Sequence, residues 1–202
     1  MMVIMQKKIT KSATMSRKEV SHDRILEVAA RAIRRSGYDG TAVADIMKEA
    51  GLTHGGFYAH FASRDALLAE AADRAGADSV ALASRVVAAA PPGQALQAIM
   101  QAYLSPAHIA AIENGCPVSA LGSEMPRQSP EVRHAATLHI KEMIDLIARQ
   151  LPGWGTQQAH EQAMALLCAL IGTTMIARAV DDAALSEALC AATLKQFTPA
   201  AE

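Results

Sequence analysis

Aromatic residues, cysteines and long apolar runs are all scarce in this chain, and each shortage excludes something. Aromatics make up 3% of the 202 residues while hydrophobic residues make up 51%, so a core has to be built from Ala, Leu, Ile, Val and Met. That composition favours packed helices over strands, and no alternating apolar and polar run argues for a sheet. The three cysteines, Cys116, Cys168 and Cys190, form no CxxC pair, and an odd, widely spaced set is not a disulfide framework. A reducing cytoplasm is the expected setting. MMVIM, before Lys7 and Lys8, is too short for the core of a signal peptide. The longest nearly uncharged stretch, Ala163 to Ala177, falls short of the ~20 residues that a membrane span needs, so no membrane partner is expected. Seven histidines, His134 and His139 among them, follow no HExxH or Cys/His ligand spacing. There is no Gly-rich nucleotide loop after a strand and no nucleophile elbow. No metal, no cofactor and no catalytic residue is therefore expected, and an enzyme would need a convergent set of titratable groups that the sequence does not display.

What the chain does contain is unevenly distributed charge. Residues 1–60 carry ten Lys/Arg against six Asp/Glu, a surplus of four, so with a whole-chain charge of −1 the remainder carries −5. A basic N-terminal portion on an acidic body is the asymmetry of a protein that meets phosphate at one end. Apolar periodicity places a first helix after a Ser21 cap, ending at Gly37, and a second after a Thr41 cap, ending at Gly51. Ser63 caps a long Ala-rich helix that runs to Pro91 and Pro92. Short helices on either side of Pro106, a helix through Leu138, Met143 and Ile147, and two apolar helices, Ala159 to Val180 and Asp182 to Phe197, complete the expected all-α fold. The organisation read from this pattern is a flexible basic arm at 1–18, a three-helix DNA-binding domain at 19–66, and a helical ligand-binding and dimerisation domain at 67–202.

Between the second helix and Ser63 the chain reads THGGFYAHF, Thr53 to Phe61. Two adjacent glycines at a helix start cost about 1 kcal/mol each relative to Ala, so they need a reason. A short helix, a Gly-containing turn at Gly51 to Thr53 and a second short helix form a helix-turn-helix, whose second helix enters the major groove by its N-terminal end. Without bulky side chains at Gly55 and Gly56, backbone can approach a duplex. Thr53 and His54 reach bases or backbone first, and Tyr58 and His60 can hydrogen-bond phosphate oxygens. Phe57 and Phe61, at i and i+4, are expected to face inward and Tyr58 outward.

The run GYDGTAVADIMKEAGLTHGGFYAHFASRDALL, Gly37 to Leu68, resembles the DNA-binding segment of TetR-type transcriptional repressors in its order of Gly-aromatic, Thr, Ile, Ala-Gly, Gly, Tyr, Phe and a basic residue before an acid and Leu. The resemblance extends over roughly residues 21–70. It implies phosphate-contacting positions at Thr41, Thr53, Tyr58, His60 and Arg64, and a groove-facing role for His54, Gly55 and Gly56. Arg64 stands where Lys is usual, Ala42 where Ser or Thr is common, and Gly56 where a small polar residue or Ala is frequent. With few base-reading side chains, part of the discrimination is assigned to DNA shape and to Arg17 or Lys18 in the arm.

The resemblance further implies that the body binds a small-molecule effector and forms a two-fold dimer. Independently, the last two helices carry more apolar surface than one core requires, which fits a four-helix interface between subunits. Met100, Tyr103, His108, Cys116, Met143, Met164 and Cys168 are the candidate effector contacts, since thioethers and aromatics line adaptable apolar pockets and also fill ordinary cores. Cys116 lies in NGCPVSALGSEMPRQSPEVR, Asn114 to Arg133, a stretch similar to one in a subset of TetR-like repressors, some of which sense electrophiles or oxidants through a cysteine. No Lys or Arg flanks Cys116 in sequence, which favours a structural thiol, and Cys168 and Cys190 are expected to be buried. The expected function is a homodimeric repressor that releases a palindromic operator on binding its effector. A ligand-independent architectural DNA-binding protein, or a helical enzyme, are the alternatives.

Overall fold

The computed structural model describes residues 16–198, and every regular element among them is helical. The order is α1 (Arg17–Ser36), α2 (Val43–Glu49), a 3₁₀ turn (His54–Ala59), α3 (Arg64–Ala89), α4 (Ala95–Tyr103), α5 (Pro106–Ala110), a 3₁₀ turn (Ile112–Asn114), α6 (Pro117–Leu121), a 3₁₀ turn (Met125–Arg127), α7 (Pro130–Ala148), α8 (Gln157–Ala179) and α9 (Ala183–Phe197).

The caps differ from expectation where local chemistry offered a better partner. α1 starts before Ser21, at a reciprocal capping box: the Ser16 hydroxyl accepts from the Glu19 N–H at 3.2 Å, and the Glu19 carboxylate accepts from the Ser16 N–H at 2.7 Å. Arg17 and Lys18 therefore occupy the first turn of a helix and not an arm; residues 1–15 of the expected arm lie outside the described residues. Thr41 does not cap α2, which starts after Ala42 without a side-chain cap. Its buried hydroxyl donates instead to the Gly37 carbonyl at 2.6 Å. At α3 the expected cap is present, Ser63 Oγ accepting from the Ala66 N–H at 3.1 Å. Ser63→Ala is expected to lower stability by about 1 kcal/mol, read as a shift of the urea midpoint at unchanged slope.

Two apolar clusters organise the packing. One joins α1, α2, Phe57 and Phe61 to Leu67–Ala75 of α3, and it also takes in Leu121, Val132 and Ala135 from the body. The second is built from α4, α7, α8 and Cys116, with Cys190 of α9 at its edge. α3 serves both, so the first core continues past residue 66 into the helix that leads to the second. The crossing of α3 and α7 is close at Gly76, where a Cβ would lie 2.3 Å from the His139 ring, which explains a glycine in the interior of a helix despite its cost.

α8 is long and apolar enough by composition to cross a membrane, yet Leu166, Leu167 and Leu170 face the core. Its other side carries Met164, 38% exposed, with Met175 and Ile176. Cys168 is exposed on the same helix, against the expectation of burial, while Cys190 is buried. A helix apolar around its whole circumference has no period from which the inward side could be read. Leu138, placed by its spacing in the apolar stripe of α7, is 43% exposed.

Candidate nucleic-acid interface and body cavities

The helix-turn-helix is α2, the turn at Gly51 and the short 3₁₀ turn His54–Ala59. Gly51 takes φ +70°, which suits glycine. Phe57 and Phe61 are each 2% exposed and stack at 5.6 Å between centroids. With these two anchored inward, Tyr58 is driven out and is 74% exposed. Thr53, His54 and Gly55 are exposed and Gly56 is half-buried. Neither glycine has a positive φ. A Cβ on Gly55 would meet nothing within 4 Å, and one on Gly56 would make ordinary contacts at 3.7 and 3.8 Å with Thr53 and Met47. Nothing inside the fold demands glycine at either position, so close approach from outside is the remaining physical reason.

His60 is half-buried, with its Nδ1 buried and unpartnered. Desolvation, aided by His22 and Lys18, holds its pKa below the usual histidine value. Two other expected phosphate contacts are occupied within the protein. The Thr41 hydroxyl is bound to Gly37, and the Arg64 guanidinium donates to the carbonyls of Tyr38 and Thr41. The Thr41 bond closes the segment after α1 on itself, and the Arg64 bonds fasten the start of α3 to that segment, a long-range pairing that sequence spacing does not reveal.

The surplus of positive charge on α1 is also divided. Arg31 pairs with Glu27 at 2.8 Å, Arg35 pairs with Glu49 and Glu113 at 3.3 Å each, and Arg34 is buried. Arg24 is exposed, has no carboxylate partner among the described residues, and lies against the Gly51 turn, its Nη2 3.2 Å from where a Gly51 Cβ would be. It was not among the sequence candidates; the only signal was its place in the basic count. Arg17 and Lys18, on the first turn of α1, are exposed as well.

In the body, two neighbouring cavities share Ser79, Cys116 and Met143 in their walls. Of the candidate effector contacts, Tyr103, His108, Cys116 and Met143 line the second. Met100, 1% exposed, is part of the core and lines neither. Met164 and Cys168 lie on the outer side of α8, away from both. Spacing did not indicate the first cavity, which runs between α3 and α7 and has Tyr38, Gly76 and His139 in its wall.

No basic residue flanks Cys116 in sequence, but two converge on its turn in space. Arg34 donates to the Gly115 carbonyl at 3.2 Å, and Arg178 donates to the Ser119 hydroxyl at 3.0 Å and to the carbonyls of Ile109 and His108. His108 is held between two backbone groups. Its Nε2 accepts from the Cys116 N–H at 3.3 Å, so the Nδ1 that meets the Tyr103 carbonyl must carry the proton and donate. Burial holds its pKa below the ordinary value, consistent with this neutral tautomer.

His139 is the opposite case. Partial burial opposes its charge, yet Asp73 at 2.9 Å and Glu142 at 2.8 Å outweigh that and raise its pKa above 6.5. A group raised in the folded state stabilises fully below its unfolded pKa and loses that contribution as pH rises through the folded value. His139→Gln is accordingly expected to destabilise more near pH 5.5 than near pH 8.5, measured by urea unfolding at both. An equal loss at the two values would assign His139 a packing role alone.

Comparison with known proteins agrees with this architecture. The family model of bacterial regulatory proteins of the tetR family matches residues 25–71, and that of the LmrA/YxaF-like transcriptional regulator C-terminal domain matches residues 92–189. An uncharacterised HTH-type transcriptional regulator of Mycobacterium tuberculosis is 28% identical over 165 residues, covering 77% of this chain and 83% of the relative. A TetR-family regulator from Agrobacterium tumefaciens superposes with a TM-score of 0.75 at 23% identity, over 90% of this chain and 100% of the other. One from Chloroflexus aurantiacus gives 0.75 at 24% identity, over 91% and 96%. The family and these relatives are transcriptional regulators and not enzymes. The chain belongs to the tetR family of bacterial regulatory proteins, as a transcriptional regulator with an N-terminal helix-turn-helix DNA-binding domain and a C-terminal helical domain.

Proposed function

We propose that the protein is a cytoplasmic, homodimeric repressor that holds a palindromic operator through the 3₁₀ turn of each subunit and lets it go when a small molecule enters the body. The observation that carries the reading is the exposed Gly55–Gly56 pair beside the outward Tyr58, glycines with no purpose inside the fold. Thr53, His54, Gly55 and Gly56 meet the groove, Tyr58 and His60 meet backbone phosphate, and Arg24, Arg17 and Lys18 add positive charge along one side. Thr41 and Arg64 set the geometry from behind. The exposed apolar side of α8, with Met164, Met175 and Ile176, continues onto Leu185 of α9 and is suited to a second copy of the chain.

Selection of bound duplexes from a random pool tests this reading. It is expected to return two inverted half-sites about one helical turn apart, the spacing a two-fold protein imposes. A pool that stays random after several rounds would favour architectural, sequence-independent binding. The dimer is tested separately by sedimentation of the wild-type chain against Ile176→Glu, with the variant expected to run as a monomer.

A further inference from the structure

We propose that the two body cavities form one effector site for a neutral, mainly apolar molecule bearing hydrogen-bond-accepting oxygen, and that Tyr38 carries its occupancy to the DNA-binding unit. The inference rests on the reading of the body as a ligand-binding domain.

The cavities are neighbours, sharing Ser79, Cys116 and Met143 in their walls, and both are lined mainly by apolar side chains, the usual character of a small-molecule pocket. Their walls hold no charge left over for an ionic ligand. His108 has both ring nitrogens engaged by backbone, and His139 has both engaged by Asp73 and Glu142. Arg34 and Arg178 line neither cavity; they lie behind the Cys116 turn, directed at carbonyls and the Ser119 hydroxyl, with Arg34 also 3.8 Å from Asp78. A charged molecule would be desolvated there with no unpaired charged side chain on the cavity walls to meet it.

Two of the buried, poorly partnered polar atoms belong to residues that line these cavities. Tyr38, fully buried, lines the first cavity with its phenolic oxygen unpartnered, and Tyr103, 9% exposed, lines the second with its phenolic oxygen beside the Cys116 and Ser119 side chains but in no well-formed hydrogen bond. A buried hydroxyl without a partner is unfavourable, and a bound acceptor relieves it. Burial pushes both phenols up, Tyr38 to about 12, so both stay protonated and can donate. The complementary ligand is a ketone, ester or amide with an extended apolar frame.

Tyr38 belongs to the segment between α1 and α2. Its N–H donates to Glu124 Oε2 at 2.9 Å, and its carbonyl accepts from Arg64 at the start of α3. A ligand that draws on the Tyr38 ring therefore acts on the joint that sets α1 and α2 against α3. Tyr103 makes no direct hydrogen bond to the DNA-binding unit, its carbonyl meeting His108, so the two hydroxyls separate binding from the coupling that runs through Tyr38.

The probe is Nile red, neutral, apolar and carrying a carbonyl, titrated by fluorescence into the full-length protein. Saturable blue-shifted emission is expected for the wild type, about tenfold weaker binding for Tyr103→Phe and for Tyr38→Phe, and loss of binding for Ser79→Phe, which fills the shared wall. On the selected duplex, saturating Nile red is expected to weaken wild-type and Tyr103→Phe binding alike, and Tyr38→Phe at least threefold less. No saturable binding in the wild type, or unchanged affinity in both Phe variants of folded protein, overturns the site. Full coupling in Tyr38→Phe overturns the role of Tyr38. The titration needs no DNA, so failure to bind any duplex would count against the repressor reading and leave the test of the site intact.

Discussion

Gly37→Ala is expected to destabilise the protein by about 3 kcal/mol. Gly37 follows α1 with φ 77° and ψ 171°, a region nearly restricted to glycine, where another residue is strained by about 1–3 kcal/mol. The added Cβ would also lie 2.5 Å from Glu124 Oε1 and 2.9 Å from Oε2. Moving that carboxylate removes the acceptor of the Tyr38 N–H, and a buried donor left unpaired costs about 1–3 kcal/mol more. Gly93→Ala is the control. Gly93 has φ 77° too, but nothing within 4 Å of a Cβ, so only backbone strain of about 1 kcal/mol is expected. Urea denaturation of both variants checks the pair, and equal losses would show that Glu124 swings aside without consequence.

Gly55→Leu is expected to do the reverse: leave stability within about 0.5 kcal/mol of wild type, and weaken binding to the selected duplex by at least thirtyfold, about 2 kcal/mol. A Cβ at Gly55 points into open space, and leaving glycine in a helical turn is favourable by up to about 1 kcal/mol. Any loss must therefore arise from what the larger side chain holds away. Thermal melts and fluorescence anisotropy on the same preparation check both halves. Unchanged DNA affinity in a folded variant would move the interface away from the 3₁₀ turn.

The all-helical fold and most of the reader unit were legible because their determinants are local. A Ser63 cap, an i, i+4 pair of phenylalanines and a Gly turn each act within a few residues. The seven-residue α2 and the inward Phe57 followed from the same spacing. Roles set by long-range partners were not legible. The hold of Arg64 on the carbonyl of Tyr38 leaves no trace in local spacing. Cys116 appears remote from any cation until Arg34 and Arg178 close on its turn from distant helices. Met164 and Cys168 were candidate effector contacts by side-chain chemistry, and α8, apolar all round, has no period to show which of its sides faces the core.

Coupling between effector and operator, if both bind one molecule, is reciprocal: each weakens the other by the same factor. The elements positioned for it are α3, shared by both apolar clusters, and the Glu124–Tyr38–Arg64 chain of hydrogen bonds that ties the body to the reader. Arg34 adds a second tie, from the last turn of α1 to the carbonyls of Ala75 and Gly115.

The central claim, that the chain reads a specific operator, is tested most directly by fluorescence anisotropy on DNA from upstream of its own gene against scrambled DNA of equal length, at near-physiological salt. The account predicts a specificity ratio of about a thousand or more. Equal affinity for the two duplexes would contradict it.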